Sequence, residues 1–548
     1  MAKRNTIYLQ KNDTMRKLKK GVIYAYLLFA IGLAPSCKDD DEDNNKQDDE
    51  DSKKPNVLLV VVDDFGWGHL ALNKDQYTEA ECNSDLIANA TSHQYTFQQA
   101  LALAEKATPT LNSLAKNGVR FVDAYASSNV SSPSRAGLIT AAYQERFGFY
   151  NLADGNKGLD ESVTLMPKVM KDNGYATGSF GKVHYLPESA PGNMDFGISP
   201  LKAGFDYYFG FNYNSCPYYY TPALDILYRN DQKVGATDKY LTDQITEETI
   251  RFIDLYKDKP KMMYVAYNAV HEPLTQKAPE EYAKLFEGEP ENLAVFYSYV
   301  YAFDQGIRKI MDKLETIGEL ENTIIIFMSD NGAAAPYEEE GMLLRSNSPL
   351  PNNGPLRGFK GESFNGGFKV PMIISWGEKI QGEKVCRSMV STMDIFPTVF
   401  DAAQISMPRF QAVDGVSLMP IIGGDLAYKP HEELVWMIQQ GDFFTLNPPV
   451  STTVQEMQPS DAYGSFVVRR NNWALRYTHE YETDNPVPME KYELYDLSTD
   501  KGQKADLSGK NKELVESMTK SFTQWYKDKK DPSGWKEEFW GWIKETFK

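Results

Sequence analysis

A chain of 548 residues is long enough for one large core with a smaller domain, or for two to four ordinary domains. Hydrophobic and charged fractions of 42% and 24% are those of a globular protein and exclude a wholly disordered chain. A formal net charge of −18 argues against nucleic acid as a partner, so affinity for any anionic polymer has to come from a local basic site acting against the overall field.

Met15-Arg16-Lys17-Leu18-Lys19-Lys20 and the apolar residues 21–33 have the basic head and short apolar run of a secretory signal, and a start at Met15 gives it a more usual length. The run is too short to span a bilayer, which takes about 20 apolar residues. It ends in Leu33-Ala34-Pro35-Ser36-Cys37, a loose lipobox that would make Cys37 a lipidated N-terminus. Lys38-Asp39-Asp40-Asp41-Glu42-Asp43 then reads as a solvated tether, and resembles the acidic tag that sends some Gram-negative lipoproteins to the outer face of the outer membrane. The expectation is a signal over 1–36, a lipidated acidic tether over 37–55, and an outer-membrane lipoprotein, surface-exposed or periplasmic. Losing 1–36 removes seven basic residues and one acidic one, which moves the net charge from −18 to −24. Cys82, Cys216 and Cys386 are an odd set without metal-type spacing, so no disulfide framework is indicated.

Asn56-Val57-Leu58-Leu59-Val60-Val61-Val62 is a continuous apolar run, the pattern of a strand buried on both faces of a parallel sheet. It stops at Asp63-Asp64, two carboxylates where open α/β sheets place their ligands. Residues 71–107 are polar and loosely patterned and read as an insertion without assignable chemistry. Residues 108–117 read as a helix with Pro109 in its first turn and Gly118 at its end. Gly118-Val119-Arg120-Phe121-Val122-Asp123-Ala124-Tyr125 is the next strand, and a Ser/Asn loop leads to Ser131-Ser132-Pro133-Ser134-Arg135. Ser131 would lie at a helix N-terminus, where free N–H groups favour a tetrahedral anion and Arg135 adds a fork of donors. A serine N-cap beside a surface arginine is the plainer alternative.

A helix near 165–173 precedes a strand at 175–180 that delivers Lys182 and His184. Two apart on an extended segment, these would point to the same side. Gly210-Phe211-Asn212-Tyr213-Asn214-Ser215-Cys216-Pro217-Tyr218-Tyr219-Tyr220 concentrates aromatics and amides suited to stacking on sugars, with Tyr213 and Asn214 as candidate subsite residues; an ordinary packed loop is the alternative. The strand at 262–267 runs into Asn268-Ala269-Val270-His271, so two of only six histidines directly follow buried-type strands. Thr323-Ile324-Ile325-Ile326-Phe327-Met328-Ser329 ends in Asp330-Asn331-Gly332. Asp63, Asp64, Asp330 and Asn331 thus offer oxygen donors without Cys or His, a set that selects Ca²⁺ or Mg²⁺ over zinc. Beyond about 430, Phe466-Val467-Val468, Trp473-Ala474-Leu475 and Glu493-Leu494-Tyr495-Asp496-Leu497 read as short strands, followed by a helix over 511–526. The fold class expected is α/β, a large mixed or parallel central sheet flanked by helices over 56–429, with an antiparallel sheet-plus-helix subdomain over 430–548.

The spelling from Ser131 through Pro133, Ser134, Arg135 and Thr140 resembles the signature of the formylglycine-dependent sulfatases, of the alkaline-phosphatase-like superfamily. Ala141-Ala142 stand where that family usually has Gly-Arg. The resemblance continues through the Gly181-Lys182-Val183-His184 element and through Lys360, with Asn365 and Lys369 where Glu and Arg are usual. It implies a Ser-type bacterial enzyme in which a maturation enzyme oxidises Ser131 to formylglycine. It further implies a metal held by Asp63, Asp64, Asp330, Asn331 and the oxygen of residue 131, a sulfate contact from Lys360, His271 as acid toward the leaving alcohol, and His184 as base in releasing the enzyme-bound sulfate. Ser131, Arg135, Lys182, His184, His271 and Lys360 would be its catalytic set. The expected activity is hydrolysis of sulfate esters on glycans. Two alternatives stay open: a phosphodiesterase or phosphonate hydrolase of the same superfamily, and a non-catalytic glycan-binding lipoprotein with Ser131 unconverted.

Overall fold

The computed structural model describes residues 54–530 apart from 153, 191–194, 220–224, 236, 275–277, 337–347, 439–463 and 483–484. The expected signal and nearly all of the expected tether lie outside the described residues. So does the end of the 210–220 stretch.

Asn56–Val62 occupies the middle of an eleven-stranded sheet, parallel to Lys261–Ala266 on one side and to Thr323–Ser329 on the other. Leu58, Val60 and Val62 face one core while Val57, Leu59 and Val61 face another. Side chains alternate across a strand, so a run buried on both faces has to be apolar at every position. Each such Val or Leu contributes on the order of 1.5–3 kcal/mol when fully buried. Helices Leu241–Leu255 and Glu291–Thr316 supply Ile245, Phe252, Phe296 and Phe303 to the first core. Helices Ser131–Thr140 and Ile395–Ala402 supply Ala136, Ile139, Phe396 and Phe400 to the second.

Beyond Lys261–Ala266 the sheet continues in parallel through Ala176–Lys182 and Tyr207–Phe211. Beyond Thr323–Ser329 it reverses at Lys369–Trp376 and reverses again at Gly118–Tyr125. Two reversals restore direction, so Gly118–Tyr125 runs the same way as Asn56–Val62. Every one of these parallel strands therefore ends, and Lys369–Trp376 begins, at one edge of the sheet. This is the edge where open α/β sheets hold their ligands.

The 71–107 stretch is not the loose insertion that its polarity suggested: Ser84–Ser92 and Phe97–Ala107 are helices. In the second, Phe97, Ala100, Leu103, Ala104 and Ala107 are buried at helical spacing, and Thr96 caps its start by accepting from the Gln99 N–H at 3.1 Å. Alanines supply most of that buried stripe, which is why the pattern carried little contrast. The next helix, Pro109–Lys116, is capped from a distance: Asp304 accepts the N–H groups of Thr110 and Leu111 at 3.0 Å each.

Glu433–Ile438, Gly464–Arg470, Trp473–Glu482 and Asn485–Asp496 form the separate antiparallel sheet, paired in chain order. These strands are longer than their apolar cores alone suggested. Lys512–Tyr526 lies on the sheet with Met518 and Phe522 buried, and the rings of Phe522 and Phe466 stack at 3.9 Å. Cys82, Cys216 and Cys386 are buried and free. Among the described residues, no helix is long and apolar enough to cross a membrane.

Candidate active site

Ser131 is the first residue of helix Ser131–Thr140, and its side chain does not cap that helix. The Oγ instead lies 3.1 Å from both Asp63 Oδ1 and Asn331 Oδ1, fully buried. The Ser131 side chain is thus not the N-cap that the plainer alternative supposed. Strand register brings the partners together: Val62 pairs with Ser329, so Asp63-Asp64 and Asp330-Asn331 leave neighbouring strand ends side by side. Asn331 Nδ2 donates to Asp64 Oδ1 at 2.8 Å, and Asp330 lies so that its Oδ1 accepts from the Asp64 N–H at 3.3 Å. Gly332 completes the turn because a Cβ there would come within 1.7 Å of the Gly366 carbonyl.

Three cations face these acids. Lys182 Nζ, with no exposed surface, lies 2.6 Å from Asp63 Oδ2. Arg135 places Nε and Nη2 at 2.9 and 2.8 Å from Asp330 Oδ2, while Nη1 donates to the Lys182 carbonyl at 3.1 Å. Arg135 is wholly buried, so it is not the surface arginine of the plainer alternative. Lys360 Nζ is 2.9 Å from Asp64 and keeps some exposure. Burial alone would lift the Asp63 carboxyl, but Lys182, His271, Arg135 and Lys360 hold it well below the usual carboxylate range. Burial pushes Asp330 up to about 6, with the Asp63 charge adding to the effect.

Both histidines border the same cluster. His271 Nε2 is 3.8 Å from Asp64 Oδ2, and Nδ1 is 2.8 Å from the Glu272 carbonyl. That carbonyl fixes Nδ1 as the donor and turns Nε2 toward the acids. Burial, reinforced by Lys360, holds His271 down to about 4. His184 does not follow the expected strand alternation, because its φ is 54°. Burial, and after it the charges of Lys182 and Arg135, hold its pKa well below the ordinary histidine value. A Cβ on Gly155 would lie 2.8 Å from His184 Nε2, so a glycine is what lets residues 154–157 close over the ring.

The sulfatase family model matches residues 55–405, well over half of the chain and every element from Asp63 to Lys360. The chain belongs to the sulfatase family. It is a sulfuric ester hydrolase by that membership. The uncharacterized sulfatase YdeN of Escherichia coli (strain K12) is 33% identical over 490 residues, covering 83% of this chain and 82% of its own length. The N-acetylgalactosamine-6-O-sulfatase of Bacteroides thetaiotaomicron is 27% identical over 474 residues, 75% of this chain and 87% of that protein. Among solved structures, Ps i-CgsB in complex with k-i-k-neocarrahexaose aligns with a TM-score of 0.67 at 27% identity, over 90% of this chain and 98% of that one.

Several features of this sulfatase surround the acid cluster. The loop bearing Lys360 is gripped by the small sheet's side of the molecule. Arg357 Nη1 donates to the Gln503 carbonyl at 2.8 Å, the Asn365 N–H to Gln503 Oε1 at 2.9 Å, and Arg476 Nε to Ser363 Oγ at 2.6 Å. The Arg357 and Arg476 guanidinium groups lie 3.8 and 4.4 Å from the centre of the Phe364 ring. The unusual Lys369 pairs with Asp123 at 2.9 Å and stays out of the cluster. Ala141 ends helix Ser131–Thr140 at φ 55°, a left-handed conformation that favours glycine.

The aromatic loop is pinned to both histidine segments. Asn212 Nδ2 donates to the Leu186 carbonyl at 2.7 Å, and the Tyr218 hydroxyl donates to the His271 carbonyl at 2.9 Å. Tyr213 lies between these ties, half-buried against the core, and Asn214 Oδ1 is buried without a protein partner. Residue types and spacing gave no reason to single out Tyr218, Tyr264, which lies 3.4 Å from Arg135 Nη1, or Ser134, whose Oγ donates to the Asp330 carbonyl at 2.5 Å. Only Ser134 had a local cue, its place in the signature.

Proposed function

We propose that this sulfatase hydrolyses sulfate esters on carbohydrates, using formylglycine made from Ser131 and a Ca²⁺ or Mg²⁺ ion held by Asp63, Asp64, Asp330, Asn331 and the oxygen of residue 131. The observation that carries this reading is the Ser131 Oγ, withdrawn from helix capping and aimed between Asp63 and Asn331. The donor chemistry fits a hard cation. Among the described residues, Asp63, Asp64 and His271 present possible ligand atoms within 4.8 Å of one another, so a single nitrogen borders an otherwise oxygen-rich set. Three carboxylates already balance three cations, and a divalent ion would leave an excess of two positive charges for an anionic ester. When bound, it would supply Lewis acidity at the sulfate.

The chain's own residues then have separable tasks. Arg135 holds Asp330, Lys182 holds Asp63, and Lys360 offers its charge at the exposed side. When formed, formylglycine would supply as its hydrate an oxygen nucleophile for sulfur and a second hydroxyl. His271 would take up a proton at Nε2, the nitrogen facing Asp64, and give it to the departing alcohol oxygen as the S–O bond breaks. His184 would serve as the base toward that second hydroxyl in the release of sulfate. An unmodified serine has one hydroxyl and no such exit, so a maturation enzyme that accepts serine is part of the proposal.

The carbohydrate assignment draws support from the amide and tyrosine of the pinned loop and from the glycan names of relatives. Export through the 1–36 signal and an outer-membrane lipid anchor at Cys37 belong to the same proposal, as do the boundaries 56–429 and 430–548. Two measurements test it. Mass spectrometry of native-source protein should find the Ser131 peptide lighter by about 2 Da; an unshifted peptide favours the non-catalytic reading. A panel of sulfated mono- and disaccharides should include a substrate, and activity confined to aryl sulfates or phosphate diesters would overturn the substrate class.

A further inference from the structure

Tyr218 is fully buried, edge-on to Tyr299 with ring centroids 4.4 Å apart and stacked beside Tyr240 at 5.8 Å. This packing fixes the ring, and with it the direction of the hydroxyl. The hydroxyl is shared between two carbonyls, His271 O at 2.9 Å and Asn268 O at 3.1 Å. A second tie runs the other way, from Asn268 Nδ2 to the Cys216 carbonyl at 3.2 Å. The opposite side of the same turn is bonded to the acid strand: the Asp63 N–H donates to the Ala269 carbonyl at 2.9 Å and the Val270 N–H to the Asp63 carbonyl at 2.7 Å. The 268–271 turn is therefore held between the strand that bears Asp63 and the loop that bears Tyr213 and Asn214.

We propose that Tyr218 is a positioning residue that sets the main chain of His271, so that placement of the leaving-group proton donor depends on the 212–218 loop. This rests on the assignment of His271 as that donor. In the step concerned, His271 has first been charged by taking up a proton at Nε2, and that proton passes to the ester oxygen while the S–O bonding pair moves to that oxygen. Tyr218 neither gives nor takes a proton. Water cannot replace its hydroxyl in so closed a place, so its removal leaves the His271 carbonyl short of a buried partner and the turn free to shift. Proton transfer needs heavy atoms within hydrogen-bond reach, and a displacement of about 1 Å costs on the order of a hundredfold in rate.

The test compares matured wild-type enzyme, Tyr218→Phe and His271→Ala on a sulfated monosaccharide and on 4-nitrophenyl sulfate, with near-stoichiometric enzyme so that slow turnover is measurable. Tyr218→Phe should lower kcat on the sugar sulfate by about tenfold or more with KM within about twofold, and lower aryl turnover by less than about threefold. A merely structural defect would depress both substrates alike. If His271→Ala shows the leaving-group preference and Tyr218→Phe does not, the positioning role is wrong while the donor assignment stands. If His271→Ala itself shows no preference, the donor assignment falls. Should Tyr218→Phe yield no folded protein, Asn268→Ala cuts the companion tie and is read in the same way.

Discussion

Lys182 Nζ and Asp63 Oδ2 meet at 2.6 Å with neither side chain exposed to solvent. Such a pair is strongly destabilising to break from one side, by about 3–5 kcal/mol, because a buried charge is left alone. Asp63 is also a proposed metal ligand, so its loss should act twice. Asp63→Ala should abolish activity and lower the melting temperature. Asp330→Ala should likewise abolish activity, taking from Arg135 its nearest carboxylate. Chelation of the wild type should remove activity without unfolding it, and Ca²⁺ should restore it; metal–oxygen distances of roughly 2.3–2.6 Å would identify Ca²⁺ and roughly 2.0–2.1 Å Mg²⁺. Full activity in a preparation shown by elemental analysis to be metal-free would end the metal reading.

The two histidines should fail differently. His271→Ala should impair sugar sulfates at least about tenfold more than aryl sulfates, since a phenolate leaves with little help from an acid. His184→Ala should accumulate a sulfated enzyme, visible in rapidly quenched samples as a residue-131 peptide about 80 Da heavier than its formylglycine hydrate and about 98 Da heavier than the free aldehyde. Absence of that adduct during slow turnover would remove His184 from the release step.

Outside the acid cluster, His431 Nε2 lies 2.8 Å from Asp394 Oδ1. Burial opposes the imidazolium, but the charge and hydrogen bond of Asp394, with Asp414 behind, outweigh it and raise the His431 pKa. A raised folded-state value means that the charged pair adds its full stability below the unfolded value near 6.5 and loses it as pH climbs through the folded value. The stability gap between wild type and His431→Gln, from urea unfolding, should therefore be widest near pH 5.5 and narrow toward pH 9. A gap that widens with pH would contradict the assignment.

Ala141, at φ 55°, gives a fourth expectation. Ala141→Gly relieves about 1–2 kcal/mol of left-handed strain and gives up about 0.8 kcal/mol of buried methyl. Net stability should rise by up to about 1 kcal/mol. A fall in melting temperature would show that packing around the methyl outweighs the strain.

The central strands were legible because each is locally overdetermined: Thr323–Ser329 and Gly118–Tyr125 begin and end where their apolar runs do. The acid pairs were legible for the same reason, as carboxylates standing at the ends of such runs. Phe97–Ala107 was not, since its alanine-rich stripe differs little in polarity from its exposed face. Arg135 shows a different limit. Its partner, Asp330, comes from the end of a distant strand and no local pattern could name it. Tyr218 is the extreme case, because a side chain that acts on another residue's carbonyl leaves no signature at either position.

Phe364, under the guanidinium groups of Arg357 and Arg476, and Gln503, bonded to both Arg357 and Asn365, make the small sheet and its following turn part of the mounting for Lys360. That mounting limits how such enzymes can be recombined. A chimera that exchanges the C-terminal region with that of a relative would inherit a foreign grip on residues 357–365, even with every strand of the central sheet intact. The crossover that keeps Lys360 in place is one that transfers the 357–365 loop together with Arg476 and Gln503, as a single heritable block.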